Sequence, residues 1–392
     1  MKPLAARTKR LAASETVRIS NLIAELRAQG KEVISFSVGE PDFDTPAFVK
    51  EAAKKAIDEG LTKYVPSPGM AETRKAIAEK SKNENHIPAE PANVVVMPAK
   101  MGVWAGINVL VDHGDEAIIP DPAWVSYAPL VEWSGGKPVG VPLKGEDGFR
   151  MRASAVAERI TNKTKLIVLN SPANPTGGVN TAEDVKGIAD LAKDHDLYVL
   201  TDEIYEKLNY GGTNLSIQSL PGMMERTITV NGLSKSHAMT GWRTGWCVAP
   251  KPIFDELNKA QSQTMTCVPG FIQRAMVTAL TGPTESVAAM AKEFHARRDI
   301  IVKGLNDIPG FHSPTPGGAF YVFPRYDFDM PSDQFTEYLL KEAGVGVTPG
   351  KAFGPHGEHH IRISYATSRA NIDKGLEKIR GAVRGLKRRV GA

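Results

Sequence analysis

Residues 227–245, TITVNGLSKSHAMTGWRTG, decide how the rest of this 392-residue chain is read. They open on Thr227-Ile228-Thr229-Val230, an alternation of polar and apolar β-branched residues that predicts a strand. The run gives way to a loop of small and polar residues. Lys235 stands there between Ser234 and Ser236, and Arg243 follows among Gly241, Trp242 and Gly245. A lysine delivered by a strand end into such a loop suits a ligand with two different groups. Its amine forms a Schiff base with a carbonyl while a serine hydroxyl and the guanidinium hold a phosphate. Taken alone, the same residues also read as a surface lysine and a loop arginine, so the decision lies upstream.

Upstream, the first 30 residues read as an arm and then a helix, capped by Ser14 or Thr16, with Ile19, Leu22, Ile23 and Leu26 at helical spacing. A short strand over 33–38 runs into Gly39-Glu40-Pro41-Asp42-Phe43. Gly39 is either a plain turn glycine or a point where a ligand approaches the backbone. A helix over 46–60 precedes the rigid loop Lys63-Tyr64-Val65-Pro66-Ser67-Pro68-Gly69. From Val94 onward, strands at 94–97, 116–119, 166–169 and 197–200 alternate with helices. One helix opens at Pro98 and another at the capping box Thr181/Asp184. Short joins between such units predict an α/β fold, a mostly parallel sheet sandwiched by helices. Ligands of such sheets bind at the carboxyl ends of strands, and Lys100, Trp124, Asn174, Asp202, Tyr205 and Lys235 all fall there.

Past residue 248 a helix begins near Pro252, breaks at the loop 262–270 and continues to about residue 305. Strands follow at 317–323 and 360–365. In the second, Ile361 and Ile363 point to one face and Arg362 and Ser364 to the other. A helix over 371–386 ends the chain. The expected organisation is an N-terminal arm and helix (1–45) packing on the smaller domain, a large ligand-binding domain (46–290) and a smaller α+β domain (291–392).

Composition narrows the partners. Lys and Arg number 48 against 44 Asp and Glu, a formal charge of +4 and no footprint for nucleic acid. Basic residues cluster only at 7–10 and 380–389, where a solvated helix face or tail is expected. Cys247 and Cys267 lack metal-ligand spacing, so no metal is expected, and two such thiols suggest a reducing compartment. No signal-peptide core opens the sequence and no apolar run reaches membrane-span length. These features read as a soluble cytoplasmic protein.

A cofactor with an aldehyde, a ring nitrogen and a phosphate needs several distinct partners, and pyridoxal 5'-phosphate finds one for each. Asp202 suits the pyridine nitrogen, keeping it protonated so that the ring accepts electrons. Alone, Asp202 reads equally as a helix cap. Tyr205 and Asn174 suit the ring oxygen, or else serve as a core-edge tyrosine and a turn asparagine. Trp124 offers a face for stacking, or fills the core. Ala99 and Lys100 open a helix whose free N–H groups suit a phosphate.

Together, Gly39 to Phe43, Asn174-Pro175-Thr176-Gly177, Asp202-Glu203-Ile204-Tyr205, Ser234-Lys235 with Arg243, and Arg362 resemble the class I/II aminotransferases. These are fold-type I pyridoxal-phosphate enzymes; the similarity covers nearly the whole chain and is closest to the prokaryotic-type aspartate aminotransferases. The resemblance implies that Lys235 is the catalytic Schiff-base lysine and that Asp202 pairs with the ring nitrogen. Asn174 and Tyr205 would hold the ring oxygen. Ser234 and Arg243 would hold the phosphate with the backbone near Ala99 and Lys100. Tyr64 would reach the phosphate of a neighbouring subunit, which implies a homodimer with shared active sites. Arg362 would bind the substrate's α-carboxylate in a forked pair, with Gly39, Trp124 and Asn174 around it. Lys100 would meet either the phosphate or the second carboxylate of an acidic substrate. One stretch departs from the family: Pro98-Ala99-Lys100-Met101 replaces two small residues, a polar residue and Gln, so Pro98 brings no N–H and Met101 no amide.

The implied reaction is ping-pong transfer of an amino group from aspartate to 2-oxoglutarate, giving oxaloacetate and glutamate. Alternatives are an aminotransferase for aromatic or other neutral amino acids or prephenate, and a C–S lyase or cyclopropane-forming synthase with the same anchors. A transcription regulator of this fold would carry a winged helix first, for which the strand near residue 33 leaves no room. A nucleotide-binding α/β protein would carry a G-x-G-x-x-G or G-K-[ST] loop, and neither occurs after an early strand.

Overall fold

The protein was studied as a computed structural model, which describes residues 3–5, 8, 15–211 and 214–389. Ser14 and the basic residues Arg7, Lys9 and Arg10 lie outside the described residues. Helix α1 (Glu15–Ala28) leads to strand β1 (Ile34–Ser35), then α2 (Ala47–Asp58) and α3 (Ala71–Asn85). The alternating stretch is β2 (Val94–Val96), α4 (Ala99–Leu110), β3 (Glu116–Asp121), α5 (Tyr127–Ser134), β4 (Lys137–Pro142), α6 (Ala153–Ala157), β5 (Thr164–Asn170), α7 (Ala182–Asp194), β6 (Tyr198–Asp202), β7 (Thr227–Asn231) and β8 (Trp246–Val248). Helices α8 (Lys251–Ser262), α9 (Gly270–Thr281) and α10 (Glu285–Asn306) follow. Short strands β9 (Phe311–His312), β10 (Tyr321–Val322) and β11 (Arg325–Tyr326) come next. Helix α11 (Ser332–Tyr338), strands β12 (Val345–Gly346), β13 (Thr348–Pro349) and β14 (Ile361–Ser364), and helix α12 (Arg369–Val383) complete the described chain.

Seven strands form one sheet in the order β2-β8-β7-β6-β5-β3-β4. Neighbours run parallel except at β8, which is antiparallel to both β2 and β7. β3 and β7 are buried along their whole length, as a sheet covered on both faces requires. On one face Val168, Leu200 and Val230 pack with Val103 and Ile107 of α4 and Leu257 of α8. On the other, Ile167 and Val199 pack with Val185 and Ile188 of α7. Each such fully buried aliphatic side chain contributes about 1.5–3 kcal/mol. A separate core gathers Phe294 and Ile301 of α10, Tyr321, Ile361 and Ile363, and Leu376 of α12. Ile19 and Ile23 of α1 pack with Val33 and Leu340.

The capping box at α7 forms as expected. Thr181 Oγ1 accepts from the Asp184 N–H at 3.2 Å, and Asp184 Oδ2 accepts from the Thr181 N–H at 2.9 Å. Two features differ from the sequence reading, and a third lies in a strand that reading did not name. The strand expected over 33–38 is only β1, because Ile34 and Ser35 pair with Val345 and Gly346 and the chain then leaves as a loop. The helix expected to run on to about residue 305 breaks at Gly282, which is extended ahead of Pro283, so α9 and α10 are separate. The third is the reversed direction of β8, which returns the chain from the Lys235 loop into the sheet at once.

Candidate active site

The carboxyl ends of β3, β5, β6 and β7 open onto a cavity of about 410 Å³. Gly39, Ala99, Lys100, Trp124, Asn174, Asp202, Tyr205, Ser234, Lys235, Arg243 and Arg362 all line it. Tyr64 does not; it is 87% exposed.

Lys235 leaves β7 four residues past its end, in a loop held at both sides by the pairing of Asn231 with Trp246. Gly245 makes the turn possible, since a Cβ there would lie 2.6 Å from the Asn231 carbonyl oxygen and 2.8 Å from the Ala99 nitrogen. The same loop is tied to residues 40–45: Thr45 Oγ1 donates to the Ala238 carbonyl at 2.8 Å, and Thr240 Oγ1 donates to Glu40 Oε2 at 2.8 Å. Lys235 Nζ donates to the Gly39 carbonyl at 2.6 Å. Burial brings the Lys235 ammonium down to about 8, with Arg362 and Arg243 adding to the effect and Glu40 and Asp202 opposing it.

Asp202, the last residue of β6, is buried. Its Oδ2 accepts from the Tyr127 hydroxyl at 2.9 Å and its Oδ1 from the Ile204 N–H at 3.2 Å. Burial pushes its carboxyl up to about 6, although both hydrogen bonds and Lys235 favour the ionised form. Asn170 Nδ2 donates to the Asp202 carbonyl at 2.9 Å, and Asn170 Oδ1 accepts from the Asn174 N–H at 2.9 Å. One asparagine at the end of β5 thus sets the positions of two cavity residues. The Tyr205 and Tyr321 hydroxyls share a hydrogen bond at 2.8 Å.

Arg362 projects from β14, away from Ile361 and Ile363 in the core. Its Nη1 donates to Asn174 Oδ1 at 3.1 Å, and its Nη2 donates to the Ser37 carbonyl at 2.6 Å. The guanidinium lies between two rings, 4.8 Å from the Tyr321 centroid and 5.0 Å from that of Phe353. Its Nε is buried with no hydrogen-bond partner among the described residues. A buried donor in that condition favours an incoming acceptor such as a carboxylate.

Lys100 stands in the first turn of α4 with its Nζ 5.0 Å from the Trp124 ring centroid. Burial lowers its proton affinity, and the nearby Arg243 lowers it further. Arg243 takes a left-handed backbone (φ 54°) and its Nη1 donates to the Thr240 carbonyl at 2.6 Å. Pro98 is the N-cap residue of α4, and the N–H groups of Ala99 and Lys100 fall in the helix's first turn. A second cleft of about 1490 Å³ adjoins Lys100, Trp124 and Arg243 and is walled by Met101, Trp104 and Leu130.

Sequence reasoning missed Tyr127, Asn170 and Tyr321, all of which line the cavity. Tyr127 carried no usable signal, since nothing local marks its bond to Asp202. Tyr321 carried none, because its alternation reads as ordinary strand.

Comparison with known proteins agrees with this geometry. Residues 31–379 match the family model "Aminotransferase class I and II". An aspartate aminotransferase of Pyrococcus abyssi is 45% identical over 93% of this chain and 95% of its own. Aromatic-amino-acid aminotransferase 2 of Thermococcus litoralis is 44% identical over 90% of this chain and 92% of its own. The solved structure of aspartate aminotransferase from Thermus thermophilus with maleate superposes with a TM-score of 0.92 at 38% identity, covering 97% of this chain and 100% of that one. The chain therefore belongs to the class I and II aminotransferases, and it is a pyridoxal-phosphate-dependent transaminase.

Proposed function

We propose that this transaminase moves the amino group of aspartate to 2-oxoglutarate. The observation that carries the reading is two cations in the cavity besides Lys235 and Arg243: Arg362 beside Asn174, and Lys100 on the face of Trp124. A dicarboxylic substrate needs one for each carboxylate. The Thermus relative was solved with maleate, itself a dicarboxylate, and the Pyrococcus relative is named for aspartate.

The donor set fits pyridoxal phosphate. Arg243 lines the cavity near the opening turn of α4, where its guanidinium and the first N–H groups of the helix would meet a phosphate. When bound, the cofactor supplies a carbonyl that condenses with amines and a ring that accepts electrons from the α-carbon. Lys235 would bind that carbonyl in the resting enzyme. Once displaced by substrate its amine would be placed to move the α-proton, and burial, which favours the neutral amine, suits it to that task. Tyr127 and the Ile204 N–H favour the ionised Asp202, which would keep the ring nitrogen protonated. Asn174 and Tyr205 would hold the ring oxygen, Ser234 and Arg243 the phosphate, and Trp124 would offer its face to the ring. Arg362, with Gly39 beside it, fixes the α-carboxylate and so the direction of the α C–H bond.

Tyr64 reaches the phosphate of a neighbouring subunit, so the working unit is a homodimer; its exposure in the single chain supports this. Among the described residues, those from 291 onward form a smaller domain beside the large domain of 46–290, and α1 packs on the smaller one through Ile19 and Ile23. No helix among the described residues is long and apolar enough to cross a membrane.

A second reading has its own support. The 1490 Å³ cleft beyond Lys100, with Met101, Trp104 and Leu130 in its walls, has room for a bulky side chain, and the Thermococcus relative is named for aromatic amino acids. Rapid mixing of holoenzyme with aspartate, tyrosine or alanine separates the two. Fastest loss of the cofactor's visible band with aspartate supports the first reading, and fastest loss with tyrosine replaces it with the second.

A further inference from the structure

Tyr321 lies in β10 and is fully buried. β10 pairs with β14, Tyr321 opposite Ser364, which brings its ring under the Arg362 guanidinium. Its hydroxyl end is closed off by Gly39, where a Cβ would lie 2.6 Å from the phenolic oxygen. Among the described residues, the Tyr205 hydroxyl is its one hydrogen-bond partner, at 2.8 Å. Burial pushes both phenols up, so both keep their protons near neutral pH.

A buried hydroxyl with one acceptor in reach donates to it. Either hydroxyl can serve as donor in this pair; a ring oxygen that takes the Tyr205 proton leaves Tyr205 to accept from Tyr321. We infer that Tyr321 is a positioning residue: it donates to Tyr205, turns the Tyr205 proton toward the cofactor's ring oxygen and makes Tyr205 the stronger donor. The inference rests on the reading above that Tyr205 faces that oxygen. Arg362, on the face of the Tyr321 ring, fixes the plane in which this bond forms.

The test is a pH titration of the visible absorption of cofactor-loaded enzyme, in wild type, Tyr205→Phe, Tyr321→Phe and the double variant. A donor stabilises the anionic ring oxygen, so removing one raises the apparent pKa of the proton shared between that oxygen and the Lys235 nitrogen. Tyr205→Phe should raise it most. Tyr321→Phe should raise it by roughly 10–30% of that shift, the cooperative strengthening expected of one bond on the next. The double variant should match Tyr205→Phe alone, because Tyr321 acts only through Tyr205. A side chain that merely fills space would change thermal stability and leave the titration unmoved. An unmoved Tyr321→Phe titration, or a Tyr321→Phe shift that persists without the Tyr205 hydroxyl, overturns the inference. An unmoved Tyr205→Phe titration instead overturns the placement of Tyr205, and the relay with it.

Discussion

Lys235 Nζ donates to the carbonyl of Gly39 at 2.6 Å, so the amine beyond β7 is tethered to the loop that follows β1. That loop is anchored in turn. Asp42 accepts from Arg297 Nη1 at 2.7 Å, and Arg297 Nε donates to Glu293 at 2.8 Å within α10. Arg369, and then Arg297, hold the Glu293 carboxyl down to about 2, so this anchor stays charged over the working pH range.

Replacing Lys235 with alanine should abolish transamination and leave the circular-dichroism spectrum unchanged. The side chain fills no hydrophobic core, and both carbonyl binding and proton transfer rest on its amine. Borohydride reduction of the wild-type holoenzyme should remove its yellow colour and fix the cofactor mass on the peptide that carries Lys235. Mass on another lysine would reassign the site.

Arg362→Leu should raise KM for amino acids of every side-chain type. An α-carboxylate deprived of its buried, charged partner loses on the order of 3 kcal/mol or more. Steady-state kinetics on aspartate, alanine and tyrosine check this. Discrimination by side chain would move Arg362 into the specificity pocket.

On the proposed reading, substrate choice turns on Lys100. A cation is disfavoured at a helix N-terminus by roughly 0.3–1 kcal/mol, so its place there calls for an anion to offset the cost. Lys100→Ser should lower kcat/KM for aspartate and glutamate by about tenfold, or about 1.4 kcal/mol, and change alanine and aromatic amino acids little. An equal loss on all substrates would assign Lys100 to the phosphate.

Tyr64 tests the shared site. In a mixture of Tyr64→Ala and Lys235→Ala subunits, each heterodimer regains one site with both native residues. Random reassociation should therefore restore roughly a quarter of wild-type activity. No recovery beyond the sum of the two variants would place Tyr64 outside the partner's site.

Glu203 should make stability depend on pH. Burial, with Glu206 beside it, pushes its carboxyl from 4.5 up to about 7, while Ser216, Lys80 and Thr201 pull the other way. Lys80 bonds both Glu206 and Asn85. A raised acid contributes stability that is fully present below about 4.5 and is lost as pH rises through about 7. Urea unfolding of wild type should thus lose on the order of 1–3 kcal/mol relative to Glu203→Gln between pH 5 and 8. A difference that stays constant with pH would mean Glu203 keeps one protonation state.

The sequence made the strand-end residues legible because a parallel sheet leaves few other places for Lys235, Asp202 and Asn174 to face. Capping at Thr181 was legible because its partner is three residues away. Tyr321 and Tyr127 were not, since their roles depend on contacts with Tyr205 and Asp202, distant in sequence, and a buried tyrosine reads the same with or without such a contact. The direction of β8 was equally hidden. Three apolar residues, Trp246 to Val248, satisfy either direction, and only the tight return through Gly245 imposes the antiparallel one. The helix break at Gly282 was overlooked although Gly-Pro is a plain local stop.

That reversal has a mechanical consequence. The backbone leaves the sheet at Asn231 and re-enters it opposite the same residue at Trp246, so Lys235 and Arg243 ride on one closed ring of chain. Arg362 rides elsewhere, in β14, whose strand partners are β10 and β13. On the proposed roles, the side chains for the cofactor and the one for the substrate's α-carboxylate thus hang from different sheets, and they meet through the Arg362–Asn174 bond. A shift of β14 would re-aim the carboxylate grip without pulling on the chain that carries Lys235 and Arg243.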